Sequence, residues 1–83
     1  MKSLIMAILV DERCDAATKV QEVLTKAGCI IETRLGIHES DGGKDEGLII
    51  LKLNGTTEEV TELKQELNEI DRVKADTMQL DLS

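Results

Sequence analysis

The sequence contains no aromatic residue and no proline, and it has little positive charge. Its 83 residues include 10 lysines and arginines against 17 aspartates and glutamates, which gives a formal net charge of −7 at pH 7. Nucleic-acid binding depends on positive charge that neutralises phosphates and on aromatic side chains that stack on bases. The sequence offers neither property, so we expect no nucleic-acid partner.

Long apolar segments are also absent, and the longest run extends only from Leu4 to Val10. A helix needs about 20 apolar residues to cross a bilayer, so we expect no membrane association. Lys2 and this run could imitate a signal peptide, but acidic residues follow directly and no small-residue cleavage site precedes them. We therefore expect a cytoplasmic protein whose two cysteines are reduced thiols.

The length and the hydrophobic content together predict one small folded domain over residues 1–83. Hydrophobic residues make up 41% of the chain, which is more than a disordered segment carries. Since phenylalanine, tyrosine and tryptophan are missing, aliphatic side chains must form the whole core.

Two helices are predicted from apolar residues that recur at spacings of three and four. The first lies between Asp15 and Gly28, with Asp11 or Asp15 as its N-terminal cap and Gly28 as a left-handed stop. The second begins at Thr56, which with Glu59 fits a capping box.

Four strands complete the predicted order β-α-β-β-α-β. They are Leu4–Val10, 31–38, Leu48–Leu53 and Val73–Leu82. The turn residues 40–47 favour a hairpin between the second and third strands. The apolar positions of the last strand change parity, for which we predict a β-bulge near Thr77. This order predicts an α+β ferredoxin-like sandwich: a four-stranded antiparallel sheet with both helices on one face and the first and third strands at its centre.

The two predicted central strands carry apolar residues without alternation. Helices cover only one face of such a sheet, so side chains such as Ile5, Ala7 and Leu9, or their neighbours of opposite parity, must point away from the helices. Soluble monomers rarely leave such a patch exposed. We therefore expect a homodimer or a tetramer that packs through the open sheet face, with a partner protein on that face as the alternative.

One end of the predicted sheet gathers most of the candidate functional residues. The first strand leaves the sheet there through Asp11, Arg13 and Cys14, and the second strand returns to it. We take as ligand-binding candidates Asp11, Arg13, Cys14, Arg34, Gly36 and His38. Guanidinium groups bind carboxylates bidentately, so Arg13 and Arg34 are the candidate anion anchors, and we expect a ligand at the subunit interface.

A metal site is the alternative interpretation of the same end. His38, with Cys14 or Asp41, supplies ligand types that transition metals accept. However, the chain has one histidine and no Cys-x-x-Cys or His-x-x-x-His spacing, so a complete site needs two subunits. Otherwise His38 is a surface residue at a strand end and Cys14 a half-buried packing residue.

Enzymatic catalysis is not indicated by the sequence. Cys14 could act as a nucleophile with His38 as its base, but no third orienting group or substrate cavity is predicted. Cys14 and Cys29 bracket the first helix, about 22 Å apart at 1.5 Å per residue, so they cannot form an intrachain disulfide. We expect no enzyme and no cofactor.

The order of elements and two short segments, 10–13 and 33–37, resemble the small stand-alone proteins of the iron-only hydrogenase system regulator family. Those proteins are similar in fold to ACT domains and to the C-terminal nickel-sensing domain of nickel-responsive repressors. The resemblance implies an ACT-like regulatory domain that oligomerises through its sheet and binds a small effector, often an amino acid, at the interface. The nickel chemistry does not carry over, because those sites use several histidines and this chain has only His38.

Overall fold

The computed structural model describes residues 2–11, 14–39 and 46–82, with the backbone alone for residues 38 and 39. The elements are β1 (Lys2–Asp11), α1 (Ala16–Lys26), β2 (Ile31–Glu39), β3 (Glu46–Leu53), α2 (Thr57–Asn68) and β4 (Val73–Asp81), with a 3₁₀ turn at Gly28–Ile30. The strands form one antiparallel sheet in the order β2-β3-β1-β4. The predicted ferredoxin-like architecture and its central strands are therefore confirmed. Most of the predicted hairpin turn lies outside the described residues.

The core lies between the two helices and one face of the sheet. Its largest fully buried side chains come from both layers: Met6, Ile8, Val20, Leu24, Leu51 and Leu67. Because successive residues of a strand point to opposite faces, the intervening side chains of β1 and β3 lie on the side away from the helices.

That second side, the open face, carries nine apolar residues. Directly opposed residues of neighbouring strands share a face, so the pairing registers place these residues together. They are Ile5, Ala7, Leu9, Leu35, Ile37, Leu48, Ile50, Met78 and Leu80. Of the two parities that the sequence left open for β1, the structure has Ile5, Ala7 and Leu9 pointing away from the helices.

The predicted β-bulge near Thr77 is wrong. The β1–β4 register is continuous from Lys2↔Asp81 to Val10↔Val73, and the irregularity in the sheet lies between β2 and β3, at Ile31/Thr33. The parity change in β4 has a simpler cause. The strand contributes apolar residues to the core at its start and to the open face at its end.

The helix ends follow the sequence signals unequally. At α2 the capping box is present, with Glu59 N donating to Thr56 Oγ1 at 3.1 Å and Thr56 N donating to Glu59 Oε1 at 2.9 Å. At α1, Asp15 is the N-cap residue but its side chain makes no capping hydrogen bond; its carboxylate lies 3.6 Å from Lys19 Nζ. Gly28 is not a left-handed stop, because it begins the 3₁₀ turn with no positive φ.

The outer edge of β4 is partly closed by side chains. Asn68, the last residue of α2, donates from Nδ2 to Ala75 O at 2.9 Å and accepts from Ala75 N at 2.8 Å. Two residues along, the backbone N–H of Thr77 donates to Asp76 Oδ1 at 2.8 Å. These bonds satisfy backbone groups that an edge strand otherwise offers to another chain.

Candidate functional site

The end of the sheet that the sequence singled out is assembled as expected at the level of the backbone. His38 is paired with Gly47, and Gly47 is paired in turn with Val10. The end of β2 therefore lies at the same end of the sheet as Asp11, the last residue of β1, with β3 between the two strands. Arg13 and Asp41 lie outside the described residues, as does the side chain of His38.

Asp11 is held by the turn that precedes β4. Arg72 donates to Asp11 Oδ2 from Nε at 2.9 Å and from Nη2 at 2.7 Å, and Asp11 N donates to Arg72 O at 3.1 Å. Arg72 has a positive φ of 68°, a conformation that is uncommon for a residue with a side chain. This set of bonds gives the Asp11 carboxylate a structural role in fixing the β4 turn against β1.

Both cysteines are free thiols, as the helix between them predicts, and both are exposed, so the interpretation of Cys14 as a half-buried packing residue is wrong. Cys14 Sγ donates to the backbone carbonyl of Asp11 at 3.3 Å, which ties the start of the β1–α1 connection to the end of β1. No cluster of three or more histidine, cysteine, aspartate or glutamate residues suited to a metal occurs within residues 2–11, 14–39 and 46–82. The predicted metal set includes Asp41 and the His38 imidazole, which fall outside the described groups.

Arg34 and Gly36 lie elsewhere, in a cleft on the helix side of β2. Arg34 is opposite the buried Leu51, so its side chain leaves the sheet towards the helices, where Nη2 donates to Gln21 Oε1 of α1. The cleft between α1, β2 and β3 has a volume of about 320 Å³. Its lining is mainly apolar, with Val10, Ala17, Val20, Gly36, Gly47 and Ile49 beside Arg34 and Gln21.

The structure thus divides the predicted candidates between two places. Asp11 and Cys14 belong to the connections at the sheet end, whereas Arg34 and Gly36 line the cleft. The sequence argument missed Gln21 and the α1 wall of the cleft. Gly36 was the sequence signal that could have indicated this cleft. A glycine inside a strand often marks the close approach of another group.

None of the helices in the described part of the chain combines the length and the apolar character needed to cross a bilayer.

Comparison with known proteins shows that this chain is similar to a sequence family and to several solved structures. A search of curated proteins finds no match. Among solved structures, the uncharacterized protein TM1266 from Thermotoga maritima is 26% identical, with a TM-score of 0.86 over 98% of this chain and 100% of that one.

Two further solved structures share the fold at lower identity. The ACT domain of GTP pyrophosphokinase from Chlorobium tepidum has a TM-score of 0.71 at 15% identity, over 94% of this chain and 97% of that one. CPII, a nitrogen regulatory PII-like protein from Thiomonas intermedia K12 bound to ADP, AMP and bicarbonate, has a TM-score of 0.64 at 13% identity, over 99% and 93%.

The family comparison covers most of the sequence. The profile described as "TM1266-like: Iron-only hydrogenase system regulator, putative" matches residues 2–77. The ACT-like fold agrees with the resemblance carried by the element order and by segments 10–13 and 33–37. The chain belongs to the TM1266-like family of iron-only hydrogenase system regulators.

Proposed function

We propose that this chain is a non-enzymatic regulatory module that self-associates through its open face and responds to a small effector such as an amino acid. Membership of a family of regulators supports the regulatory role. The CPII protein of similar fold is bound to ADP, AMP and bicarbonate, and we extend to this chain the binding of a small ligand, though not those ligands.

The apolar open face is the observation that carries the self-association. Five of its residues, Leu9, Leu35, Ile37, Met78 and Leu80, are between 41% and 58% exposed in the single chain. Four strands spaced about 4.8 Å apart, with about eight residues each at about 3.3 Å, span about 500 Å². Two copies would bury about 1,000 Å², which reaches the lower bound of a specific interface.

The occupant of this face is a second copy in our proposal, because two-fold pairing brings the same patch of both copies together. The apolar residues form a band that crosses all four strands, so two identical bands can lie on each other in an isologous contact. Extension of the sheet at β4 is disfavoured, because Asn68 and Asp76 already bind outward-facing backbone groups of that edge.

The test is the mass of the protein in solution, measured by sedimentation velocity at about 1–100 μM for the wild type and for Ile50→Asp. Ile50 lies on central strand β3 within the open face. A charge there would be desolvated on association but hydrated in the free chain. We expect a dimer or a tetramer for the wild type and a folded monomer for the variant.

Thr18→Asp is the matched control, because it adds the same charge at an exposed position of α1. It should keep the wild-type mass. A wild type that stays monomeric at about 100 μM, or an Ile50→Asp protein with the wild-type mass and an intact circular dichroism spectrum, would rule out association through this face.

A further inference from the structure

Gly36 has no evident structural requirement for being a glycine. Its φ is not in the left-handed region, and a Cβ built on it meets no atom within 4 Å. Gly55 is different, because its Cβ would lie 2.8 Å from the Ile30 side chain. The missing side chain at Gly36 therefore leaves space in the cleft between α1 and β2 rather than room for a packed neighbour.

Arg34 brings a positive charge to that space. Five other described lysine and arginine side chains lie within 4 Å of a carboxylate: Lys19, Lys26, Lys52, Lys64 and Arg72. Arg34 donates instead to the neutral amide of Gln21, and within the described residues no carboxylate pairs with it. A guanidinium has five N–H donors, so donors remain for an anion that enters the cleft.

The other walls of the cleft are apolar. Val10, Ala17, Val20 and Ile49 are among the lining residues. The volume of about 320 Å³ is at the low end of ligand pockets, about 300–1,000 Å³. A ligand that matches these walls has a short aliphatic body and one anionic end.

We propose that this cleft is an effector site formed within one chain, and that it binds a small aliphatic carboxylate whose carboxylate group pairs with Arg34. The inference rests on the proposed function, since it names the class of effector and places it on the helix side of the sheet. Arginine suits this role because its planar fork meets a carboxylate with two parallel hydrogen bonds.

The position of the cleft connects the ligand to the open face. Arg34 and Gly36 line the cleft, whereas Leu35, which lies between them in β2, is on the open face. A ligand that fixes β2 from one side therefore acts on the strand that meets the second copy on the other side. By linkage, the carboxylate and the second copy change each other's affinity by the same factor.

The experiment is calorimetric titration of the full chain with L-leucine and 3-methylbutanoate, which are an amino acid and a plain acid with the same branched body. The corresponding amine, 3-methylbutylamine, and inorganic phosphate test the need for the anion and for the aliphatic part. We expect both carboxylates to bind and the amine and the phosphate not to bind. The carboxylate that binds more tightly shows whether the effector is an amino acid or a plain carboxylic acid.

Two variants test the residues. Arg34→Gln should weaken carboxylate binding about 10- to 100-fold, since it removes a charge-assisted hydrogen bond. Gly36→Val should block the cleft in a protein that still folds, because the added Cβ meets open space and valine is favoured in strands. The control Lys19→Gln removes a positive charge outside the cleft and the control Gly28→Ala adds a side chain to a glycine outside it. Both should bind as the wild type does.

The proposed site would be overturned if neither carboxylate bound the wild type. It would also be overturned if Arg34→Gln bound the carboxylates as tightly as the wild type does. Sedimentation of the same samples separates this result from the proposed function. An associated protein that binds no carboxylate refutes the site alone. A monomer that binds with the expected dependence on Arg34 refutes the sheet pairing alone.

Discussion

On its helix side the sheet presents Met6, Ile8 and Leu51, which are fully buried, while their neighbours Ala7 and Leu9 on the open face are exposed. The side chains are of the same kind, so the difference lies in whether a second layer covers them. An antiparallel sheet with one face exposed to solvent normally alternates apolar and polar residues along its strands. β1 does not, and this departure is what points to another molecule on the open face.

The adjacent residues Leu51 and Ile50 give the sharpest test of this comparison. Leu51→Ala should cost about 2–5 kcal/mol of unfolding free energy at any protein concentration, because it leaves a cavity in the core. Ile50→Ala should lower the Tm at high protein concentration, where we expect the wild type to associate, and have little effect at dilution. Thermal unfolding at two concentrations measures both.

An Ile50→Ala protein that is as destabilised at dilution as Leu51→Ala would contradict the distinction. It would mean that Ile50 contributes to the stability of a single copy, and that the open face needs no second layer.

The contrast between the two faces was readable from the sequence because the strands lack alternation over whole segments. The element order was readable for a similar reason, since each helix shows several apolar residues at helical spacing. Such signals are repeated along the chain, so a single polar residue within a strand, such as Thr33, does not hide them. The prediction of a bulge near Thr77 was wrong because a parity change has two possible causes. One is a bulge, and the other is a strand that places apolar residues first on one face and then on the other. Only the pairing partners of the strand distinguish them.

The candidate site was less predictable, because it depends on contacts between distant residues. Asp11 carries a carboxylate that could bind a ligand. However, Arg72, 61 positions later, donates two hydrogen bonds to this carboxylate. Arg34 and Gly36 were grouped with Asp11 at one end of the sheet, yet they line a cleft that is completed by Gln21 of α1. No local pattern links Gln21 to β2, so only the fold brings them together.

The helix layer is also fixed to the sheet by a polar contact, and Asn68→Ala measures it. The variant removes both hydrogen bonds to the Ala75 backbone, for which we expect a loss of about 1–2 kcal/mol in urea unfolding. Gln65→Ala, an exposed change on the same helix, is the control. A variant that unfolds at the control's midpoint would mean that apolar packing alone holds α2 on the sheet.

The smallest effect is expected where the two faces meet, at the outer edge of β4. The hydrogen bond from Lys64 Nζ, at 3.0 Å, and then the backbone N–H of Thr77 hold the pKa of Asp76 below its ordinary value of 3.8. A lowered folded-state pKa stabilises the fold above pH 3.8, and this contribution is lost as the pH falls through the folded-state value.

Asp76→Asn should therefore lower the Tm slightly at pH 7, and its Tm should converge with that of the wild type in acid. Asp81→Asn removes the same charge from the end of β4 and corrects for the acidic net charge. If the two variants behaved alike at every pH, the ion pair with Lys64 would contribute nothing to the closure of this edge, as exposed pairs often do not.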